Sequence, residues 1–153
     1  MDFLEQLRAQ KREGENELAA TQAAERARET EEAARVRAKE DNEKAREVEK
    51  DRRRAEQVFA GLPELVRKAT RQGQRTAILS EGSVSDRPPG DKPSRAVIFN
   101  RRTFYLMEWQ IPFYDRCREE GVPLTIVSER VNVGLRRVLR RDYHFLAIDI
   151  DLL

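Results

Sequence analysis

Residues 15–60 read ENELAATQAAERARETEEAARVRAKEDNEKAREVEKDRRRAEQVFA, and residues 61–73 follow as GLPELVRKATRQG. The first stretch holds no glycine and no proline, and Ala, Glu, Arg and Lys, all good helix formers, make up most of it. Opposite charges recur three or four positions apart: Glu25–Arg28, Glu31–Arg35, Asp41–Lys44, Glu43–Arg46, Glu47–Lys50 and Glu49–Arg53. Each such pair stabilises an isolated helix by about 0.2–0.5 kcal/mol. These features predict one continuous charged helix about 70 Å long at a rise of 1.5 Å per residue. Gly14 is expected to separate it from a short first piece carrying Phe3, Leu4 and Leu7. Gly61-Leu62-Pro63 ends it, because the residue before a proline is pushed out of helical geometry and a proline suits the first turn of a new helix.

A 4,3 spacing from position 34 picks out Ala34, Ala38, Asp41, Ala45, Val48, Arg52, Ala55 and Phe59. A strong zipper asks for Leu, Ile or Val at such seats, and here four of the eight are alanine. Three readings stay open: a solvated single helix held by its own charge pairs, a weak Ala-rich coiled coil, or a helix lying along a partner.

The two ends of the chain differ in composition. Residues 1–60 carry only Phe3, Leu4, Leu7, Leu18, Val36, Val48, Val58 and Phe59 as large apolar side chains after Met1, whereas Trp109 and all three tyrosines fall beyond residue 60. A core must therefore be built from residues 61–153, enough for a small domain. Residues 1–60 hold 14 basic and 16 acidic side chains, residues 61–153 hold 16 and 12, and the chain as a whole is +2. Neither half is a strong polyelectrolyte, so bulk charge does not demand nucleic acid or an anionic membrane. The single cysteine, Cys117, excludes an intramolecular disulfide and fits a reducing, cytoplasmic setting or a particle assembled there. No run of 18 apolar residues exists for crossing a bilayer, and MDFLEQLRAQKREGE lacks the apolar core of a signal peptide.

The expected class is α+β, a long helix over 1–60 followed by a small α/β domain over 61–153 of order α-β-α-β-β. Leu62, Leu65, Val66 and Ala69 give the first domain helix an apolar stripe, and Gly73 suits its end. RTAILS (75–80) reads as a strand. EGSVSDRPPGDKPS (81–94), with three prolines and two glycines, reads as a flexible loop with little to bury. In the aromatic-rich stretch 101–121, Leu106, Trp109, Phe113 and Cys117 fall on one helical face, with a bend expected at Pro112. LTIVSE (124–129) and YHFLAIDID (143–151) read as strands, and 131–142 as a helical turn or a hairpin connection.

The pieces LPELVRKATRQGQRTAILS, FYDRCREEGVPLTIVSE and YHFLAIDID resemble a small α/β module found in proteins of large DNA viruses and phages, over residues 62–151. The Pro-rich insertion at 81–94 and the basic segment at 135–141 depart from that pattern. The resemblance implies an α/β head, with no function assigned to it and no functional residue carried over.

Arg136, Arg137, Arg140 and Arg141 would share one basic face on a helix. Such a face suits phosphate, through the guanidinium's two parallel donors, or an acidic partner helix. Arg101 and Arg102 stand as companions to it. Asp149 and Asp151 would share one side of a strand, a weak pattern for Mg²⁺ and a common one for solvent-facing acids. His144 alternates with Leu146, Ile148 and Ile150, which suits a partly buried structural histidine better than a general base. A pocket gathering His144, Asp149 and Glu129 would be the mark of an enzyme. Cys117 shares a face with Trp109 and Phe113 and reads as core. No phosphate loop, dinucleotide fingerprint, nucleophile elbow or zinc spacing is present, so neither a catalytic residue, a metal ligand nor a cofactor is assigned. The expectation is a non-enzymatic structural or assembly protein that binds a protein partner or itself. Phe3, Leu4, Leu7, Val48, Phe59 and Trp109 are its interface candidates, and nucleic-acid binding through 136–141 is the alternative.

Overall fold

The structure, a computed structural model, describes residues 2–133 and 139–153, with side chains described outside 131–141. The class is α+β. Two units divide the chain, residues 1–46 and 47–153. The helix α1, Phe3–Ala60, passes from one into the other.

The first unit is helix alone. Gly14 does not break it, since the flanking residues are strong helix formers and no tertiary contact exploits the glycine. Every described residue from Asp2 to Arg46 is exposed. The hydroxyls of Thr21 and Thr30 donate to the carbonyls of Glu17 and Arg26 one turn back, at 2.9 and 2.8 Å.

The second unit begins fourteen residues before the end of α1. There the helix buries Ala55 and half-buries Val58 and Phe59 against the head. Arg116 stacks its guanidinium over the Phe59 ring at 5.0 Å and reaches Glu120 at 3.3 Å, and Arg54 pairs with Glu81. The next helix, α2 (Leu62–Arg71), has Pro63 in its first turn and ends at Gly73, whose φ of +68° only glycine adopts freely.

Five strands follow rather than three: β1 (Thr76–Val84), β2 (Ser94–Phe99), β3 (Arg102–Met107), β4 (Leu124–Val133) and β5 (Leu139–Asp149), with α3 (Gln110–Glu119) between β3 and β4 and a 3-10 turn, Ile150–Leu152, after β5. β1, β5 and β4 form an antiparallel sheet in that order, and β2 and β3 form a hairpin. The central strand β5 buries Leu146, Ala147 and Ile148, so side chains on both faces are covered.

Three expectations are corrected. The first four residues of the stretch read as a loop, 81–84, belong to β1. Between Ile78 and Ser83 the strand bulges against β5, which lets Leu79 and Gly82 both turn inward. A side chain at Gly82 would sit 2.8 Å from the Leu79 Cβ and 3.2 Å from that of Leu146. Val84 is buried as well, so this stretch does contribute to the core.

Residues 94–107 form a hairpin and not the start of a helix. Phe104 and Leu106 are two apart and both buried, the period of a strand, and Asn100 and Arg101 carry the positive φ values (49° and 63°) of a two-residue turn. α3 begins only at Gln110, which leaves Pro112 in its first turn, where no backbone donor is needed, so no bend arises there.

The last strand ends at Asp149, and Asp151 lies in the 3-10 turn. Asp149 caps that turn by accepting from the Asp151 amide at 3.1 Å, while Asp151 pairs with Arg75 at 2.7 Å. The two acids are used locally and do not form a paired face.

Candidate functional site

An exposed helix normally pairs an apolar stripe with a core. In the first unit no core is present, yet Phe3, Leu4 and Leu7 are 70%, 57% and 47% exposed, and Leu18 and Val36 are open too. Val48, at the start of the second unit, is also exposed. Of the 4,3 seats, those from Ala34 to Arg52 face solvent and the last two, Ala55 and Phe59, belong to the head. Phe59 and Trp109 are therefore half-buried core members, Trp109 resting edge-on against Phe113 at 5.6 Å, and the open interface candidates are Phe3, Leu4, Leu7 and Val48.

Charge pairs within α1 gather near its junction with the head. Glu49 accepts from Arg52 at 2.9 Å and from Arg53 at 3.0 Å, and these two hydrogen bonds hold its carboxyl down to about 2. Glu47 and Lys50 stand 3.9 Å apart. Asp51 is shifted the other way, by partial burial and then by the nearby charges of Glu108 and Glu47.

Beside the end of α1 the head carries a shallow groove of about 190 Å³ lined by Val58, Gly61, Leu65, Leu79 and Trp109, with Glu81 at its rim. It is the apolar recess nearest the free helix in sequence. A second recess lies between α2 and β1, at Ala69, Gln72 and Ala77.

Arg136 and Arg137 lie outside the described residues. Arg140 and Arg141 are in β5, paired in register with Asn132 and Val131 of β4, so this part of the basic segment is strand and not helix. On the same hairpin Arg130 is paired with Asp142 at 3.1 Å. Arg102 sits over the Phe104 ring at 5.4 Å and 3.6 Å from Asp86.

His144 is buried, as its alternation with Leu146 and Ile148 implies. The enzyme-like pocket is not assembled. Glu129 pairs opposite Tyr143, and Asp149 is five residues along β5 from His144, about 16 Å away at the rise of a strand. What surrounds His144 was not legible in the sequence. Ser128, its partner across the β4–β5 ladder, brings Oγ within 2.6 Å of Nδ1, and Asp86 brings Oδ2 within 3.6 Å of Nε2. The ring also meets Phe104 edge-on at 5.1 Å. With the ring proton on Nε2, facing Asp86, Nδ1 accepts from the Ser128 hydroxyl. The order of groups is that of a hydrolytic triad, but such a triad also needs donors aimed at a developing oxyanion, beside a cleft. The groove at Val58–Trp109 and the recess at Ala69–Ala77 are lined by other residues. We read the cluster as a tie from β4 and β5 to the 85–87 turn, where Ser85 accepts from the Arg87 amide at 3.1 Å.

Cys117 is fully buried, and desolvation pushes its thiol up to about 12, as expected for a core cysteine. Among the described residues no group of three His, Cys, Asp or Glu side chains gathers in a way that would hold a metal ion. No described helix is long and apolar enough to cross a membrane. No protein-family model matches the chain, and neither a curated protein nor a solved structure matches it.

Proposed function

We propose that this protein is a non-enzymatic assembly component. In this reading α1 is its association element and the α/β head its docking body, within an intracellularly assembled complex such as a virion. One observation carries the reading. The helix extends through residues 3–46 with every described side chain exposed, large apolar ones included. Burial of an apolar face supplies most helical stability in proteins, and charge pairs worth a few tenths of a kcal/mol each are a weak substitute. A face of this kind is completed by another molecule.

The test uses the full chain in its own cells. It should migrate in a species larger than its 17.8 kDa. A variant carrying Ala27→Glu, Ala38→Glu and Ala45→Glu, which keeps helix propensity but charges one face, should migrate as a monomer. Migration of both as monomers removes the assembly reading.

The alternative, an accessory role on nucleic acid, is favoured by the four arginines at 136–141. It requires affinity that falls steeply with salt and falls again when all four become alanine. Unchanged binding in that variant removes it.

A further inference from the structure

Charge is not evenly spread along α1. Residues 1–34 hold nine acidic and five basic side chains, and residues 35–54 hold six acidic and nine basic. The 4,3 spacing also continues backward from Ala34 through Glu31, Ala27, Ala24, Ala20, Glu17 and Glu13. All these seats and the ones up to Arg52 are exposed.

The orientation of a pairing helix follows from the charged seats. A parallel, in-register copy sets Glu13 on Glu13, Glu17 on Glu17, Glu31 on Glu31, Asp41 on Asp41 and Arg52 on Arg52. Every one of these is a like-charge contact, which destabilises a seam. An antiparallel copy, centred between Glu32 and Ala33, sets Arg52 on Glu13, Val48 on Glu17, Ala45 on Ala20, Asp41 on Ala24, Ala38 on Ala27 and Ala34 on Glu31. No like charges then meet on the seam, and one pair becomes an ion pair. The acidic end of each helix also lies along the basic end of the other, and the two helix dipoles run opposed. The alanines allow the axes to approach to about 8 Å.

We infer that the occupant of the open face of α1 is a second copy of this chain, antiparallel. This rests on the assembly reading above and names its partner.

The test is oxidative cross-linking of the purified full chain. Cys117 does not compete, being fully buried. Two exposed positions are used, Ala20→Cys and Ala45→Cys, in separate proteins. Antiparallel pairing predicts that neither alone forms a disulfide dimer and that the two, mixed and allowed to exchange, form a mixed dimer of twice the mass. Dimers from each protein alone mean parallel pairing and overturn the inference. No dimer in any sample, with a monomer mass by light scattering, also overturns it. In that case the assembly reading survives if the chain still migrates in a larger species in cells, because the partner is then a different protein.

Discussion

The two parts of α1, one in each unit, have opposite fates. From Phe3 to Arg46 every side chain of the helix is exposed, and between Glu47 and Ala60 it gives Ala55, Val58 and Phe59 to a core. Ala38 and Ala55 are both alanine seats of the 4,3 spacing, yet one faces water and the other is 2% exposed. The difference lies in what is packed against the helix. The head supplies Arg116 and an aromatic core to the second half, and no element of the chain is assigned to the first.

The largest effect expected from any single substitution is therefore in the head. Phe113→Ala empties a site with no solvent exposure and should cost about 3–5 kcal/mol. In a denaturant titration the midpoint should drop steeply for the signal of Trp109, while the far-ultraviolet dichroism of α1 loses much less. Parallel loss of both signals would mean that the helix depends wholly on the head.

Gly82→Ala follows. The added methyl would sit 2.8 Å from the Leu79 Cβ inside the β1 bulge, and the strain should cost about 1–3 kcal/mol. A midpoint equal to that of the unaltered chain would show that the bulge yields freely.

Ala55→Leu and Ala38→Leu sharpen the comparison directly. At 55 the larger side chain overpacks the head and should cost about 1–3 kcal/mol, whereas at 38 the stability of the head should stay within about 0.5 kcal/mol of the unaltered chain. Equal costs at both seats would contradict the division between the two units.

The smallest effect concerns Glu49. Arg52 and Arg53 hold its carboxyl down to about 2, from an ordinary 4.5. A depressed carboxyl contributes stability that is present above its ordinary value and lost as pH falls toward the depressed one. Glu49→Gln should therefore flatten a small loss of helicity between pH 4.5 and about 2, read by circular dichroism, with little change at neutral pH. A full-sized loss in Glu49→Gln would assign the acid sensitivity to other groups.

The helix was legible in the sequence because its causes are local: propensity, charge spacing and the Gly61-Leu62-Pro63 stop all act within a few residues. The hairpin at 94–107 was not. Leu106, Trp109, Phe113 and Cys117 satisfy helical spacing, while Phe104 and Leu106 satisfy strand spacing, and periodicity alone cannot choose between them. The deciding signal was the turn at Asn100-Arg101, a short break between two apolar runs. The seam on α1 could be read from spacing, but the covering of Ala55 and Phe59 could not, since it depends on Arg116 and the core more than fifty residues away. Likewise His144 was legible as an inward residue, whereas its neighbours Ser128 and Asp86 are set by the β4–β5 register and by the turn after β1. The end of β1 at 81–84 was hidden in the same way, because glycine and serine imitate a loop there but occupy a bulged strand.

The most direct test of the unpartnered helix is amide hydrogen exchange along α1 in the full chain, at a concentration where it associates and after dilution to its 17.8 kDa monomer. The account predicts that amides from 13 to 46 are protected in the associated state and lose that protection on dilution, while those from 55 to 60 stay protected at both concentrations. Equal protection of 13–46 in the monomer would contradict it, and would make α1 a helix that stands without a second chain.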